Sequence, residues 1–284
     1  MTLLRTPEAT PNRLVGVWRY LTGRDNAELE LLVKQALMPA SRLPDRKGDP
    51  RGTLQKNLDV AVDIGLFVRE EDRIAVAPAI DVSPSTEDTD RHRFILGHLI
   101  LDEEEGDPGF ARSVAWFLTQ NPLQEPWTSD SLPREIDRTG WKKETGLTSD
   151  TRFTVFRVWS QYFGFASVYK LDGKSVITPD PTNFIARHLP EIIEERDARV
   201  SLRQVIDSLS NRYPVFEGGF YRQEAENLLA RGRSERHLSE STSFALLRLR
   251  DRGDIDLIQE SDAPNAMVLQ IGDNTHRFSD VIRR

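Results

Sequence analysis

A mainly α-helical fold with small β-wings is predicted by two observations. Apolar residues recur at helical spacing through most of the 284 residues, and one local pattern returns three times: amphipathic helix, glycine, apolar strand, polar turn, apolar strand. The copies are LDVAVDIGLFVREEDRIAVAP at 58–78, FRVWSQYFGFASVYKLDGKSVITP at 156–179 and LLRLRDRGDIDLIQESDAPNAMVLQ at 246–270. Gly65, Gly164 and Gly253 suit the left-handed position at which a helix gives way to a strand. Asp172-Gly173 and the stretch 262–265 have the composition of wing-tip turns.

The elements follow in order. Pro11 opens a first helix with Leu14, Val17, Trp18 and Leu21 on one face, and Gly23 ends it. Asp25 or Asn26 caps a second helix with Leu29, Leu32, Val33 and Leu37 as its stripe, stopped by Pro39. Thr53 caps a third helix buried through Leu54, Leu58, Ala61 and Val62, and a hairpin of 66–68 and 74–76 follows. Three helices and a terminal hairpin is the winged helix-turn-helix order. Upstream of the second copy, 110–119 and a short 132–138 supply helices, and upstream of the third, 202–209 and 221–229 do. The expected organisation is three tandem winged helix-turn-helix units at 1–82, 105–185 and 186–284, with a helical, acidic linker at 83–104.

Charge is segregated. The chain holds 38 Lys and Arg against 45 Asp and Glu. Residues 81–107 carry nine acids against Arg91 and Arg93, which accounts for the whole net charge of −7. That segment reads as a solvated linker, or as a competitor for a basic face. Elsewhere the balance is even, with basic clusters at Arg42, Arg46, Lys47, Arg51 and Lys56, at Arg134, Arg138, Lys142 and Lys143, and at Arg231, Arg233 and Arg236.

Much chemistry is excluded. The absence of cysteine removes disulfides, thiolate metal sites and cysteine nucleophiles. The five histidines lack metal-ligand spacing, Asp172-Gly173-Lys174-Ser175 lies in a hairpin instead of a phosphate-binding loop, and no nucleophile elbow or dinucleotide fingerprint occurs. No catalytic residue, cofactor or metal is expected. No apolar run is long enough to span a membrane, so a cytoplasmic protein is expected.

A winged helix reads DNA with the start of its third helix and with a basic wing. In the third unit the hydroxyls of Ser241 and Thr242 are placed to take a phosphate, with Arg248, Arg250 and Arg252 following. The middle unit offers Arg152 and Arg157 on its helix and Lys170 and Lys174 on its wing. In the first unit Asp59 and Asp63 oppose phosphate, which leaves Arg46, Lys47, Arg51 and Lys56 for backbone contact.

Three strings carry a resemblance: LLRTPEATPNRLVGVWRYL at 3–21, AWFLTQNPLQEPW at 115–127 and THRFSDVIRR at 275–284. They resemble the DpdG-like proteins, winged-helix components encoded in bacterial gene clusters that insert 7-deazaguanine derivatives into DNA and restrict foreign DNA. The resemblance implies a DNA-binding or assembly subunit of a multi-protein DNA-modification and anti-phage system, with other subunits as partners, and supplies no functional residues. The alternatives are a protein–protein adaptor without DNA affinity and a winged-helix transcription regulator.

Overall fold

The chain's structure, a computed structural model, describes residues 3–39, 50–80, 89–229, 234–260 and 263–284. About half of it is helical, and its sheets are small and antiparallel. In the N-terminal part α1 (Pro11–Thr22) leads to β1 (Ala27–Leu29), α2 (Glu30–Leu37), α3 (Pro50–Asp63), β2 (Phe67–Glu70) and β3 (Arg73–Val76). The last strand lies between the other two, with Ala75 opposite both Ala27 and Val68. Leu14, Val17, Trp18 and Leu21 of α1 are buried against it, as their spacing requires.

Two helix starts differ from the sequence reading. Asp25 and Asn26 do not cap α2; both adopt positive φ, at 53° and 66°, and turn the chain into β1. Both residue types tolerate that region. Pro50 opens α3 three residues before Thr53, whose carbonyl instead accepts the Asn57 amide at 2.7 Å.

α4 (Thr89–Leu101) follows. It was expected within an acidic linker, yet it is packed on both sides: His92, Leu96, Ile100 and Leu101 are buried, and His92 meets Trp18 edge-on at 4.6 Å. Of the acids around it, Asp90 binds Arg93 and Arg187, Asp102 accepts the N–H groups of Glu104 and Glu105, and Asp107 accepts those of Leu3 and Phe110. Asp81, Glu87 and Asp88 lie outside the described residues.

The middle part runs α5 (Pro108–Leu118), α6 (Ser131–Arg138), α7 (Lys142–Thr145), α8 (Asp150–Phe163), β4 (Ala166–Leu171) and β5 (Lys174–Pro179). Pro133 is tolerated in α6 because it lies in the first turn, where its missing N–H has no intrahelical partner. Between α5 and α6, Trp127 exchanges backbone hydrogen bonds of 2.8 and 2.9 Å with Ile177, so β5 again has a neighbour on each side. Gly164 ends α8 at φ 88°, and a Cβ there would stand 2.8 Å from the Phe184 nitrogen, so only glycine fits.

The C-terminal part contains α9 (Thr182–Ile192), β6 (Arg199–Ser201), α10 (Leu202–Arg212), α11 (Phe220–Leu228), α12 (Glu240–Asp251), β7 (Ile255–Ile258), β8 (Met267–Ile271), β9 (Asn274–Phe278) and β10 (Asp280–Arg283). α9 runs across the boundary expected at 185. The hairpin anticipated from 255–270 is also rearranged: β7 pairs with β10, and β8 pairs with β9. β8 is drawn away by α12, through Gln270 N–H to Ser243 Oγ at 3.0 Å and Gly272 N–H to Glu240 Oε1 at 3.0 Å. β10 takes the central place between β6 and β7 and buries Val281.

One continuous core joins these parts. Leu3 and Leu4 are buried, the Leu3 N–H donates to Asp107, and the Trp159 indole donates to the Ala9 carbonyl at 3.0 Å. Phe165 stacks on Phe184 at 4.2 Å, and Phe184 meets Tyr213 and Phe216 at 4.8 and 5.5 Å, which carries the aromatic core from the turn before β4 into α9 and beyond α10. Each such ring contributes about 1.5–3 kcal/mol on burial. Beside them the Tyr213 hydroxyl lies 2.9 Å from both His98 Nε2 and His188 Nδ1.

Burial, with Arg187, His98 and Arg212 nearby, pushes the pKa of His188 down to about 3. The folded state therefore keeps this ring neutral while the unfolded chain takes up a proton below about pH 6.5. Stability from this group is complete above that pH and falls as pH drops toward 3, by at most about 1.4 kcal/mol per pH unit. Urea denaturation between pH 7 and 4 is expected to show this loss, and His188→Gln to flatten the slope; an equal slope in the variant contradicts the assignment.

Candidate nucleic-acid interface

The start of α12 combines a Ser239 cap with a run of hydroxyls, the usual ingredients of an anion site. The anion is supplied from within the chain. Glu217 accepts the Ser239 N–H at 3.0 Å, the Ser239 hydroxyl at 2.5 Å and the Thr242 hydroxyl at 2.9 Å, and pairs with Arg222 at 3.3 Å. Ser241 donates to the Leu118 carbonyl. Ser241 and Thr242 are fully enclosed, so the phosphate contact expected of them is corrected: their hydroxyls are already spent on the protein. Burial opposes ionisation of Glu217, but Arg222 and the donors from Ser239 outweigh it and hold its pKa below the usual carboxylate value.

The arginines of α12 divide by helical phase. Arg248 binds Asp180 and lies over the Phe244 ring, and Arg252 reaches Asp254 at 3.0 Å and the Asn183 side chain at 3.1 Å. Among the described residues Arg250 pairs only with its neighbour Asp251, at 2.8 Å. All three are exposed, and all three are partnered inside the chain.

In the middle part the Ser149 hydroxyl accepts the Arg152 N–H and caps α8. The Arg152 side chain donates to the Gly146 carbonyl at 2.7 Å and so closes the α7 turn, a structural use that removes it from the expected contact set. Arg157, Lys170 and Lys174 differ: among the described residues none of them takes an ion pair. Arg157 lies one turn before Gln161 on α8, while Lys170 and Lys174 stand exposed on the β4–β5 hairpin around Asp172-Gly173, both at positive φ. Exposed Tyr169 and Leu171 share that wing.

Next to α8 and β4 lies a groove assembled from residues far apart in sequence. A cavity of about 610 Å³ is lined by Pro11 and Asn12 of α1, Val158 and Gln161 of α8, Val168 of β4 and Asn183 of α9, among others. A second, of about 460 Å³, shares Arg93, Gln161, Tyr162 and Asn183 with it and continues to Asp90 and Arg187. Asp90 bridges Arg93 at 2.9 Å and Arg187 at 3.0 Å, and the Arg93 guanidinium lies over the Tyr162 ring at 5.2 Å. The Tyr162 hydroxyl and Arg93 Nε are buried and have no hydrogen-bond partner among the described residues. Burial raises the Tyr162 pKa to about 12, so it stays a neutral donor.

The first unit contributes less. Lys56 is bound to Glu8 at 2.5 Å, and Asp59 is held by Arg69 at 2.8 Å, which also binds Glu30. Arg46 and Lys47 lie outside the described residues, as does the side chain of Arg51. Of the basic cluster at 134–143, Arg138 pairs with Glu135 and Lys142 with Asp137. Trp127 and Trp141 pack within the middle part, Trp127 against Trp116 at 5.6 Å. Among the described residues no group of three or more His, Asp or Glu is placed to hold a metal, and no helix is long and apolar enough to cross a membrane.

The model of the family described as DpdG-like matches residues 1–263 of the chain. Comparisons with curated proteins and with solved structures give no match.

Arg222 is fully buried and binds both Glu217 and Glu226, the latter at 2.7 Å. Arg222→Leu strands the Glu217 carboxylate at the start of α12, and the expected loss is about 3–5 kcal/mol in urea denaturation. A loss below about 1 kcal/mol contradicts the role given to this pair.

Proposed function

Because the chain belongs to the DpdG-like family, we propose that it is a non-enzymatic, DNA-binding subunit of a bacterial DNA-modification and anti-phage system, with catalysis carried by other chains. Three units of winged helix-turn-helix type build it. The support is topological: in the first and third sheets the strand order is first, third, second, and Trp127 reproduces that order beside β5 in the middle one.

The observation that carries the DNA reading is the set of unpaired cations on the middle unit. Among the described residues Lys170 and Lys174 on its wing and Arg157 on its last helix take no ion pair, whereas Arg248, Arg250, Arg252 and Lys56 are internally paired. Free cations exchange counterions for phosphates without first breaking an ion pair. Backbone contact by the wing, with α8 beside the groove, gives affinity with little sequence preference.

The test is a salt titration of binding to random-sequence duplex DNA. Three phosphate contacts give a slope of log K against log salt near about −2.7, and Lys170→Glu with Lys174→Glu weakens binding by about tenfold or more. Arg250→Ala leaves it unchanged. Salt-insensitive binding, or none at low salt, contradicts the reading and favours an adaptor that works through protein contacts alone.

A further inference from the structure

The groove is more polar than packing demands. The Asn12 and Gln161 side-chain amides have no partner among the described residues, and the Asn183 amide is used only through its oxygen, by Arg252. Pro11 of α1, Val158 of α8 and Val168 of β4 add aliphatic surface to the same lining. Where the two cavities meet, Arg93 and Arg187 are both paired to Asp90. Lys170 lies two residues beyond Val168 on the same face of β4 and takes no ion pair among the described residues.

We infer that this groove receives one unstacked nucleotide of a nucleic-acid strand. An amide presents a donor and an acceptor side by side, the match for a base edge that has left its pair. The aliphatic side chains lie against the base, and Lys170, which takes no ion pair among the described residues, takes a phosphate. The volume of about 610 Å³ lies within the roughly 300–1,000 Å³ of sites for ligands of this size. Stacked bases of an intact duplex hide these edges, so an extrahelical or single-stranded nucleotide is the form that fits.

This inference rests on the DNA reading above, and the experiment separates the two. Full-length protein is titrated with a paired duplex, with the same duplex carrying one unpaired 2-aminopurine, and with a nucleoside monophosphate, alongside Gln161→Ala with Asn183→Ala. Both substituted residues are exposed, and an unchanged melting curve checks that the variant is folded. The expected result is at least tenfold tighter binding of the bulged duplex, a change in 2-aminopurine emission, and a preference that falls to about one in the variant. Equal affinity for the two duplexes, or a preference that survives the substitutions, overturns the inference while leaving duplex binding in place. Mononucleotide binding as tight as that of the bulged duplex overturns the assignment to a strand. Absence of binding to every probe overturns both readings.

Discussion

Hydrogen bonding of a very short strand onto the last strand of its sheet is the constraint on which this architecture depends. β1 contributes three residues, β6 contributes three, and in the middle part Trp127 alone closes the pair. A two-stranded hairpin is marginal in water, and a third pairing segment gives it an anchor. The same segment fixes the helices, because in the outer parts it runs directly into the next one: Leu29 is followed by Glu30 of α2, and Ser201 by Leu202 of α10. A helix so attached can bury its stripe only on one side of the sheet. α8, whose C-terminal half walls the groove, is held differently, by the Ser149 cap at its start and by the turn at Gly164 toward β4.

Helical spacing made most of the helices legible, and the three glycines marked the turns correctly, at φ 72°, 88° and 77° for Gly65, Gly164 and Gly253. The missed elements share a physical cause. β1, β6, β10 and Trp127 are too short to display a period, and their partners lie far away in sequence, so no local window holds the information. α9 was missed because it follows β5 after a short turn at Asp180 and Pro181, where a boundary between repeats was expected. The third hairpin was misread because both 267–271 and 280–283 are competent strands, and contacts with α12 decide which of them β7 receives.

The candidate site divides in the same way. Lys170 and Lys174 could be read from the sequence because a tight Asp172-Gly173 turn displays its flanks whatever surrounds it. Ser241 and Thr242 could not be judged, since a helix start rich in hydroxyls looks the same whether a phosphate or an internal carboxylate fills it. Glu217, more than twenty residues upstream, settles the matter. The groove draws on α1, α4, α8, β4 and α9, and none of its side chains stands out alone.

The pairing of β6 with β10 bears on the order in which the protein assembles. Arg199 and Asp280 meet across 81 residues, whereas Ala27 and Ala75 close the N-terminal sheet over a much shorter loop. Longer closure costs more chain entropy, and contacts of high sequence separation form slowly. The N-terminal sheet therefore closes at the smaller entropic cost, by about 0.5 kcal/mol. Strand β7 stays an open edge until β10 arrives, with β8 as a nearby competitor for it. Mispairing at that edge is the kinetic hazard built into this topology, and docking of the β8–β9 hairpin on α12 is the event that removes it.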